Sequence, residues 1–233
     1  MAGFATAESL AAGLAGRVTV AGPHRNLTGF LPPTLIGCSP YLKHSAPVGK
    51  TTTRLVLIRH ASTEAVRRGA FPLDEPLDAQ GAAAASAAAA GLPRSDIAFC
   101  GPSAAARQTA AGLGLDARLD GALEGCDYGA WRGLAPDQVA PEELALWIAD
   151  PQATPHGGES VAAVVARVSA WLQERTSEPT RIIAVTHAEV IRAAVLLALD
   201  APLEAFWRID VAPLGRTVLH HGGRHWTLRA TGA

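Results

Sequence analysis

Arg59 and His60 directly follow an apolar run at residues 55–58. Such a run predicts a buried strand, and open α/β sheets bind their ligands at the carboxyl ends of their strands. The Arg59 guanidinium is a planar, permanently charged group that can pair with two phosphate oxygens, and the His60 imidazole has a nitrogen that can attack phosphorus. The dipeptide indicates phosphate chemistry, provided that other segments deliver partners to the same place.

Two later segments have the same organisation, an apolar strand followed by a polar side chain. Residues 181–185 are followed closely by His187, and residues 96–100 lead into a predicted helix that carries Arg107. Strands that alternate with helices form parallel sheets, so their carboxyl ends are expected at one edge. The sequence therefore predicts that both side chains converge with Arg59 and His60 around one small anion.

The composition fits a soluble enzyme domain. The chain has 233 residues, of which 48% are hydrophobic, and a formal net charge of −1. This charge gives no indication of nucleic acid or an anionic membrane as a partner, and no apolar run reaches the roughly 18 residues of a membrane span. The three cysteines are odd in number and widely spaced, which argues against a disulfide framework and fits a reducing cytoplasm.

A change in composition separates residues 1–53 from the rest of the chain. This segment has four basic residues and one acidic residue, and it shows no sustained helical or strand period. No basic residue precedes its first apolar stretch, so a secretory signal is not indicated, although a weak transit-peptide interpretation remains. We expect an N-terminal extension over residues 1–53, poorly ordered or derived from a misassigned start, and a catalytic domain over 54–233.

Hydrophobic periodicity predicts an α/β fold, a three-layer sandwich with a mainly parallel central sheet, helices on both faces and a C-terminal hairpin. After the first strand we expect a polar, arginine-rich loop that includes residues 67–71. Helices are predicted at residues 79–90, 104–112, 142–149, 160–174 and 189–199. The later strands are predicted at residues 96–100, 115–119, 181–185, 216–220 and 225–229.

The ordered motifs of the chain resemble those of the histidine phosphatase superfamily, also called phosphoglycerate-mutase-like. The family signature Arg-His-Gly-x-Thr reads Arg-His-Ala-Ser-Thr at residues 59–63. The resemblance continues through residues 76–81, 128–133 and 156–160 and covers roughly residues 54–229. An ordered set of motifs is far more specific than any one of them.

The resemblance implies a role for each polar side chain of the site. His60 would be the nucleophile and form a phosphohistidine that water hydrolyses, and His187 would bind the phosphate and stabilise the in-line transition state. Arg59, Arg107 and Thr63 would bind the substrate, a small-molecule phosphomonoester. No cofactor or metal is implied, and the oligomeric state is not indicated.

The chain departs from the family at the proton donor. The family usually carries its acid four residues before the glycine that matches Gly129, and this position is Gly125 here. The adjacent Glu124 is the favoured donor, because a neighbouring glycine permits unusual backbone geometry. Asp127 is a second candidate, and a third possibility is that the protein has no efficient donor.

Three functions follow from these motifs. The leading one is metal-independent hydrolysis of a phosphomonoester. A phosphoglycerate-type mutase is an alternative, weakened because Val66 occupies the position of a common mutase asparagine and because the catalytic region has little room for insertions. The displaced acid motivates a third function, a catalytically weak phosphate-binding regulatory module.

Overall fold

The computed structural model describes residues 52–177 and 180–232, which form one six-stranded sheet covered by helices. The strands are β1 (Thr53–Arg59), β2 (Ile97–Cys100), β3 (Ala117–Leu119), β4 (Arg181–Thr186), β5 (Arg216–His221) and β6 (Trp226–Gly232). The helices are α1 (Glu64–Arg68), α2 (Ala79–Ala88), α3 (Ala104–Gly112), α4 (Pro141–Ala149), α5 (Val161–Glu174) and α6 (Ala188–Leu199). The predicted N-terminal extension lies outside the described residues, apart from residues 52 and 53.

The strands follow the order β3-β2-β4-β1-β5-β6 across the sheet. Of these six, only β5 runs against the others, because β1 to β4 pair in parallel while β5 pairs antiparallel with both β1 and β6. The last two strands form the predicted hairpin. The predicted α/β fold class with a mainly parallel sheet is therefore confirmed.

Alternate residues of β1 face two different layers of helices. Leu55 and Leu57 belong to a core that includes residues of α5 and α6, whereas Val56 and Ile58 pack in a second core with residues of α3. All four side chains are at most 3% exposed. Burial on both faces explains why this run has no polar residue before Arg59.

The pairing of β1 with β4 brings two strand ends to the same level. Arg59 lies opposite Thr186 in the register, and the backbone N–H of His60 donates a hydrogen bond of 2.8 Å to the carbonyl oxygen of Thr186. His60 and His187 are the first residues beyond the two strands. They therefore lie side by side at the carboxyl edge of the sheet.

The segment after His60 folds as the short helix α1, where the sequence predicts a polar loop. Thr63 caps this helix, since its hydroxyl accepts a hydrogen bond from the backbone N–H of Val66, and Gly69 ends it with a φ of 64°. Five helical residues are too few to show a helical period in the sequence.

Helix α2 packs closely against the same segment. A Cβ atom at Gly81 would lie 2.2 Å from the carbonyl oxygen of Ser62, so only glycine permits this approach. Asp78 caps α2 and also accepts a hydrogen bond from the Ser62 hydroxyl at 2.9 Å. These contacts hold the chain that follows His60.

Among the described helices, none has the length and apolarity to cross a bilayer.

Candidate active site

Two histidines lie together at the carboxyl edge of the sheet. The ring centroids of His60 and His187 are 5.0 Å apart with an interplanar angle of 61°, and both side chains are buried. The structure thus brings together the two imidazoles that the sequence places after separate strands.

The hydrogen bond of His60 defines which of its nitrogens can react. Its Nδ1 lies 2.8 Å from the carbonyl oxygen of Ala61. A carbonyl oxygen can only accept, so Nδ1 carries the hydrogen and Nε2 keeps its lone pair. Burial, followed by the proximity of His187, lowers the pKa of His60 from 6.5 to about 4. The imidazole is therefore neutral near pH 7 and available as a nucleophile.

Both ring nitrogens of His187 contact neighbouring oxygen atoms. Its Nε2 lies 3.0 Å from the hydroxyl oxygen of Ser103, and its Nδ1 lies 3.4 Å from the carbonyl oxygen of Leu123. Ser103 also caps α3 by accepting a hydrogen bond from the backbone N–H of Ala106. Its contact with His187 joins two segments that are 84 residues apart, and the sequence alone contained no signal for it.

Arg59 lies beside both histidines. It lines a cavity of 480 Å³ together with His60 and His187, and its Nη1 donates a hydrogen bond of 2.6 Å to the carbonyl oxygen of Val211. Burial lowers the pKa of its guanidinium, an effect that the nearby carboxylate of Glu189 opposes. The structure therefore places a half-buried cation where the sequence predicts a phosphate ligand.

Glu124 and Asp127 line a second cavity, of 380 Å³, which also contains His60 and His187. The Oε1 atom of Glu124 lies 3.8 Å from Nε2 of His187, and its side chain is 42% exposed. Asp127 is exposed, and its Oδ1 accepts a hydrogen bond from the backbone N–H of Gly129. Both candidate donors are thus in the same cavity as His60, and Glu124 is the one that approaches His187.

Gly125 is the residue that lies directly against His187. A Cβ atom at this position would be 2.9 Å from the imidazole carbon Cδ2 of His187. In the present arrangement, a side chain at residue 125 would have to displace the ring. The resemblance implies an acid at residue 125, but the imidazole of His187 fills the space that its side chain would need.

The loop that carries Glu124 is held by Arg167 of α5. Its Nη1 donates to the carbonyl oxygens of Ala122 at 2.8 Å and of Glu124 at 3.0 Å. Its Nε and Nη2 pair with the carboxylate of Glu159 at 3.0 and 2.8 Å. Glu159 and Arg167 therefore position the loop without contacting the cavity.

Arg107 is not among the residues that line either cavity, so its predicted role in substrate binding stays a prediction. Arg107 is exposed, and the residue of α3 that lines the 380 Å³ cavity is Ala105. The guanidinium that does line this cavity belongs to Arg132, which was not among the predicted site residues.

Thr63 lines the 480 Å³ cavity but its hydroxyl is already occupied. It donates to Oε1 of Glu75 at 2.8 Å and accepts from the backbone N–H of Val66 at 3.2 Å. The side chain is 1% exposed. A direct role in substrate binding stays a prediction, while its contacts tie α1 to the segment that carries Glu75.

Glu189, in the first turn of α6, is a further charged group of the site, and the sequence analysis did not assign it a role. It accepts a hydrogen bond of 2.7 Å from the Tyr128 hydroxyl. Burial favours a higher pKa for Glu189, but the pKa lies below its ordinary value because His187 and Tyr128 stabilise the carboxylate. Burial also raises the pKa of Tyr128, which therefore remains a hydrogen-bond donor.

The two cavities differ in chemistry although they share His60 and His187. The acid-lined cavity (380 Å³) contains the carboxylates of Asp74, Glu75, Glu124 and Asp127. The apolar cavity (480 Å³) is lined mainly by aliphatic and aromatic side chains. No group of three or more histidine, cysteine or carboxylate side chains in the described part of the chain has the arrangement of a metal site.

The sequence is similar to a known protein family and to several individual proteins. A family model described as the histidine phosphatase superfamily (branch 1) matches residues 55–233. Phosphoserine phosphatase 1 of Hydrogenobacter thermophilus is 27% identical over 181 residues, which are 72% of this chain and 86% of that protein. A bifunctional protein of Mycobacterium tuberculosis is 33% identical over 180 residues, covering 70% of this chain and 50% of that protein, so the chain spans half of this relative's length.

Solved structures give the same result. A mycobacterial glucosyl-3-phosphoglycerate phosphatase superposes with a TM-score of 0.69 at 27% identity, and the match covers 78% of this chain and 99% of that one. A mycobacterial hydrolase superposes with a TM-score of 0.71 at 28% identity, with coverages of 78% and 99%.

Proposed function

Because the chain belongs to the histidine phosphatase superfamily, we propose that it is a metal-independent phosphomonoester hydrolase that forms a phosphohistidine intermediate on His60. The relatives named as phosphatases support hydrolysis as the reaction class. The observation that carries the proposal is the hydrogen bond from Nδ1 of His60 to Ala61, which leaves Nε2 free beside His187 and Arg59.

The phosphoryl group binds where the two cavities meet. Arg59 supplies a permanent positive charge, and a ring N–H of His187 donates a hydrogen bond to a phosphate oxygen. The N-terminus of α6 begins at Ala188, which lines the apolar cavity, so its backbone dipole adds further stabilisation of an anion. These groups also stabilise the charge on the equatorial oxygens during transfer.

In the first step, Nε2 of His60 forms a bond to phosphorus as the bond from phosphorus to the ester oxygen breaks. The leaving alkoxide takes a proton, and Glu124 is the favoured donor because it lies in the shared cavity close to His187. A carboxyl group that protonates an alkoxide contributes typically 10²- to 10⁴-fold to the rate.

In the second step, the same carboxylate removes a proton from water, and the water oxygen attacks phosphorus. The bond between phosphorus and Nε2 breaks, which releases inorganic phosphate and regenerates neutral His60. The acid-lined cavity provides a route for this water, because it contains the carboxylates and the histidine pair together.

The proposal is tested by following both the intermediate and the product. Wild type mixed with a ³²P-labelled phosphomonoester should give an acid-labile, alkali-stable phosphoenzyme and release free phosphate, with and without EDTA. His60→Asn should give neither, whereas His220→Asn, a change at a strand residue distant from the cavities, should behave as wild type. Loss of activity in EDTA with recovery on adding a divalent metal would contradict the metal-independent mechanism.

A catalytically weak phosphate-binding module is the second candidate, favoured by one observation. Helix α3 contributes Ala105 to the lining of the acid-lined cavity, while Arg107, the second expected arginine, is exposed and does not line it. Such a module would bind inorganic phosphate at His187 and Arg59 but release phosphate from esters no faster than His60→Asn does.

A further inference from the structure

We propose that the substrate is a phosphomonoester of an apolar or aromatic alcohol, whose carbon part occupies the apolar cavity. This inference rests on the proposed function, because it requires the phosphoryl group to bind at His60. It goes further by assigning the chemistry of the group that is released.

The wall of the apolar cavity consists of rings and aliphatic side chains. Phe71, Tyr128 and Trp147 are each at most 8% exposed and pack together, with ring centroids between 4.9 and 5.9 Å apart. Trp207 extends this wall, 4.4 Å from Trp147. The volume of 480 Å³ lies in the range of about 300–1,000 Å³ that small-molecule sites usually have.

The ionisable side chains of the apolar cavity all come from one edge of the fold. Arg59 and His60 end β1, while His187 and Glu189 follow β4 and begin α6. Apart from the phenol of Tyr128, which stays neutral, the remaining lining residues do not ionise. Arg59 is the only permanent cation among the lining residues, and in the proposed function it binds the phosphoryl group. A second anion in this space would therefore lose its hydration without a cation of its own, whereas an apolar group would be removed from water favourably.

Helix α4 supplies the apolar side of the mouth. Leu144, Trp147 and Ile148 line the cavity at the i, i+3 and i+4 positions of one helical face, and Ile148 is 50% exposed. The acidic residues of α4, Glu142 and Glu143, do not line it. The helix therefore presents its apolar face to the site.

The acid-lined cavity is unsuited to the same group. Its lining includes four carboxylates and one permanent cation, Arg132, and an apolar alcohol bound there would remove water from these charged groups. Its carboxylates are the groups that the reaction needs for proton transfer. The alcohol therefore occupies the apolar cavity, while the proton donor and the water lie in the acid-lined cavity.

A homologous series of substrates tests the inference. The kcat/KM of ethyl, butyl and hexyl phosphate should rise about three- to fourfold for each added methylene, as expected for burial of a methylene group. Their leaving groups have nearly equal basicity, so the chemical step itself is constant. 2-Aminoethyl phosphate and 3-phosphoglycerate should be at least about tenfold poorer than butyl phosphate. No increase with chain length, or a preference for either charged substrate, would overturn the proposal.

Two variants of α4 form a matched pair for this measurement. Ile148 and Leu146 are both 50% exposed on the same helix, but only Ile148 lines the cavity. Ile148→Asn should lower the ratio of the hexyl to the ethyl kcat/KM at least threefold, while Leu146→Asn should leave this ratio unchanged. Equal effects of the two variants would contradict the assignment of the cavity.

Binding of alkylphosphonates to the wild-type protein separates this inference from the proposed function. Calorimetry with ethyl-, butyl- and hexylphosphonate should show affinity rising with chain length, and this does not depend on turnover. Rising affinity without hydrolysis of any ester would support the apolar site and refute the hydrolase. Hydrolysis with affinity independent of chain length would support the hydrolase and refute the apolar alcohol.

Discussion

The imidazole of His187 lies edge-on to that of His60, with 5.0 Å between their centroids, and this proximity is one cause of the unusual acidity of His60. Burial is the larger cause, and both disfavour a proton on His60. In the proposed mechanism, the neutral His60 is the attacking group and His187 binds the anion as a hydrogen-bond donor. Two histidines at equivalent strand ends become chemically different through their surroundings.

The low pKa of His60 predicts a loss of stability in mild acid. The folded state holds this imidazole neutral down to about pH 4, whereas the unfolded chain protonates it below its ordinary pKa of 6.5. Between these values the unfolded state binds more protons, so the free energy of unfolding falls as pH decreases, by up to about 3 kcal/mol from this residue. Urea titrations of wild type and His60→Asn at pH 7 to 4 measure the difference, and parallel curves would contradict the assigned pKa.

The proton donor can be identified from its dependence on the leaving group. Glu124→Gln should lower kcat/KM, which reports phosphoryl transfer to His60, about 10²-fold with an alkyl phosphate, whose alkoxide needs a proton. The decrease should be much smaller with p-nitrophenyl phosphate, which leaves as a stable phenolate. Asp127→Asn is the matched change, because Asp127 lines the same cavity but bonds to the backbone of Gly129. It should have a small effect. If neither variant lowers turnover, both assignments are wrong.

Arg107 of α3 and Arg132 should differ in their effect on phosphate binding. Arg132 lines the acid-lined cavity, whereas Arg107 is exposed and does not. Arg132→Gln should raise the inhibition constant of inorganic phosphate severalfold, because an anion near His60 loses a favourable charge. Arg107→Gln should leave it unchanged. The reverse order would mean that the Arg107 side chain, and not that of Arg132, binds the phosphate.

The sequence predicted the strands that carry His60 and His187 better than the side chains that surround the two histidines. The apolar runs before His60 and His187 identify their strands, and two buried parallel strands that end on polar residues necessarily place those residues at one edge. The helix that carries Arg107 was predicted with the observed bounds, 104–112. The side of this helix that faces the sheet was not predicted. In a short alanine-rich helix, that side depends on packing rather than on a pattern of large residues.

Contacts between distant segments explain the other omissions. Ser103 reaches His187 across 84 residues, and Tyr128 reaches Glu189 across 61. Each of these residues has an ordinary local explanation as a cap, a core aromatic or an acid in the first turn of a helix. Only the assembled sheet edge shows that they surround the histidines.

Arg167 offers a test of positioning at a distance from the chemistry. Its hydrogen bonds to Ala122 and Glu124 and its ion pair with Glu159 hold the loop that contains the favoured donor. Arg167→Met should reduce the free energy of unfolding by about 1–3 kcal/mol, since buried acceptors lose a charged donor. It should also lower kcat/KM with alkyl phosphates more than with p-nitrophenyl phosphate, because a displaced Glu124 no longer protonates the leaving oxygen.

The control for Arg167 is an arginine whose ion pair lies far from the loop. Arg181 pairs with Asp96, and both side chains are about half exposed, so Arg181→Met should change stability by no more than about 1 kcal/mol and leave the leaving-group dependence intact. Unfolding curves and the ratio of kcat/KM for the two esters are measured for both variants. If Arg167→Met destabilises the protein while this ratio stays at the wild-type value, the arginine supports the fold but does not position Glu124.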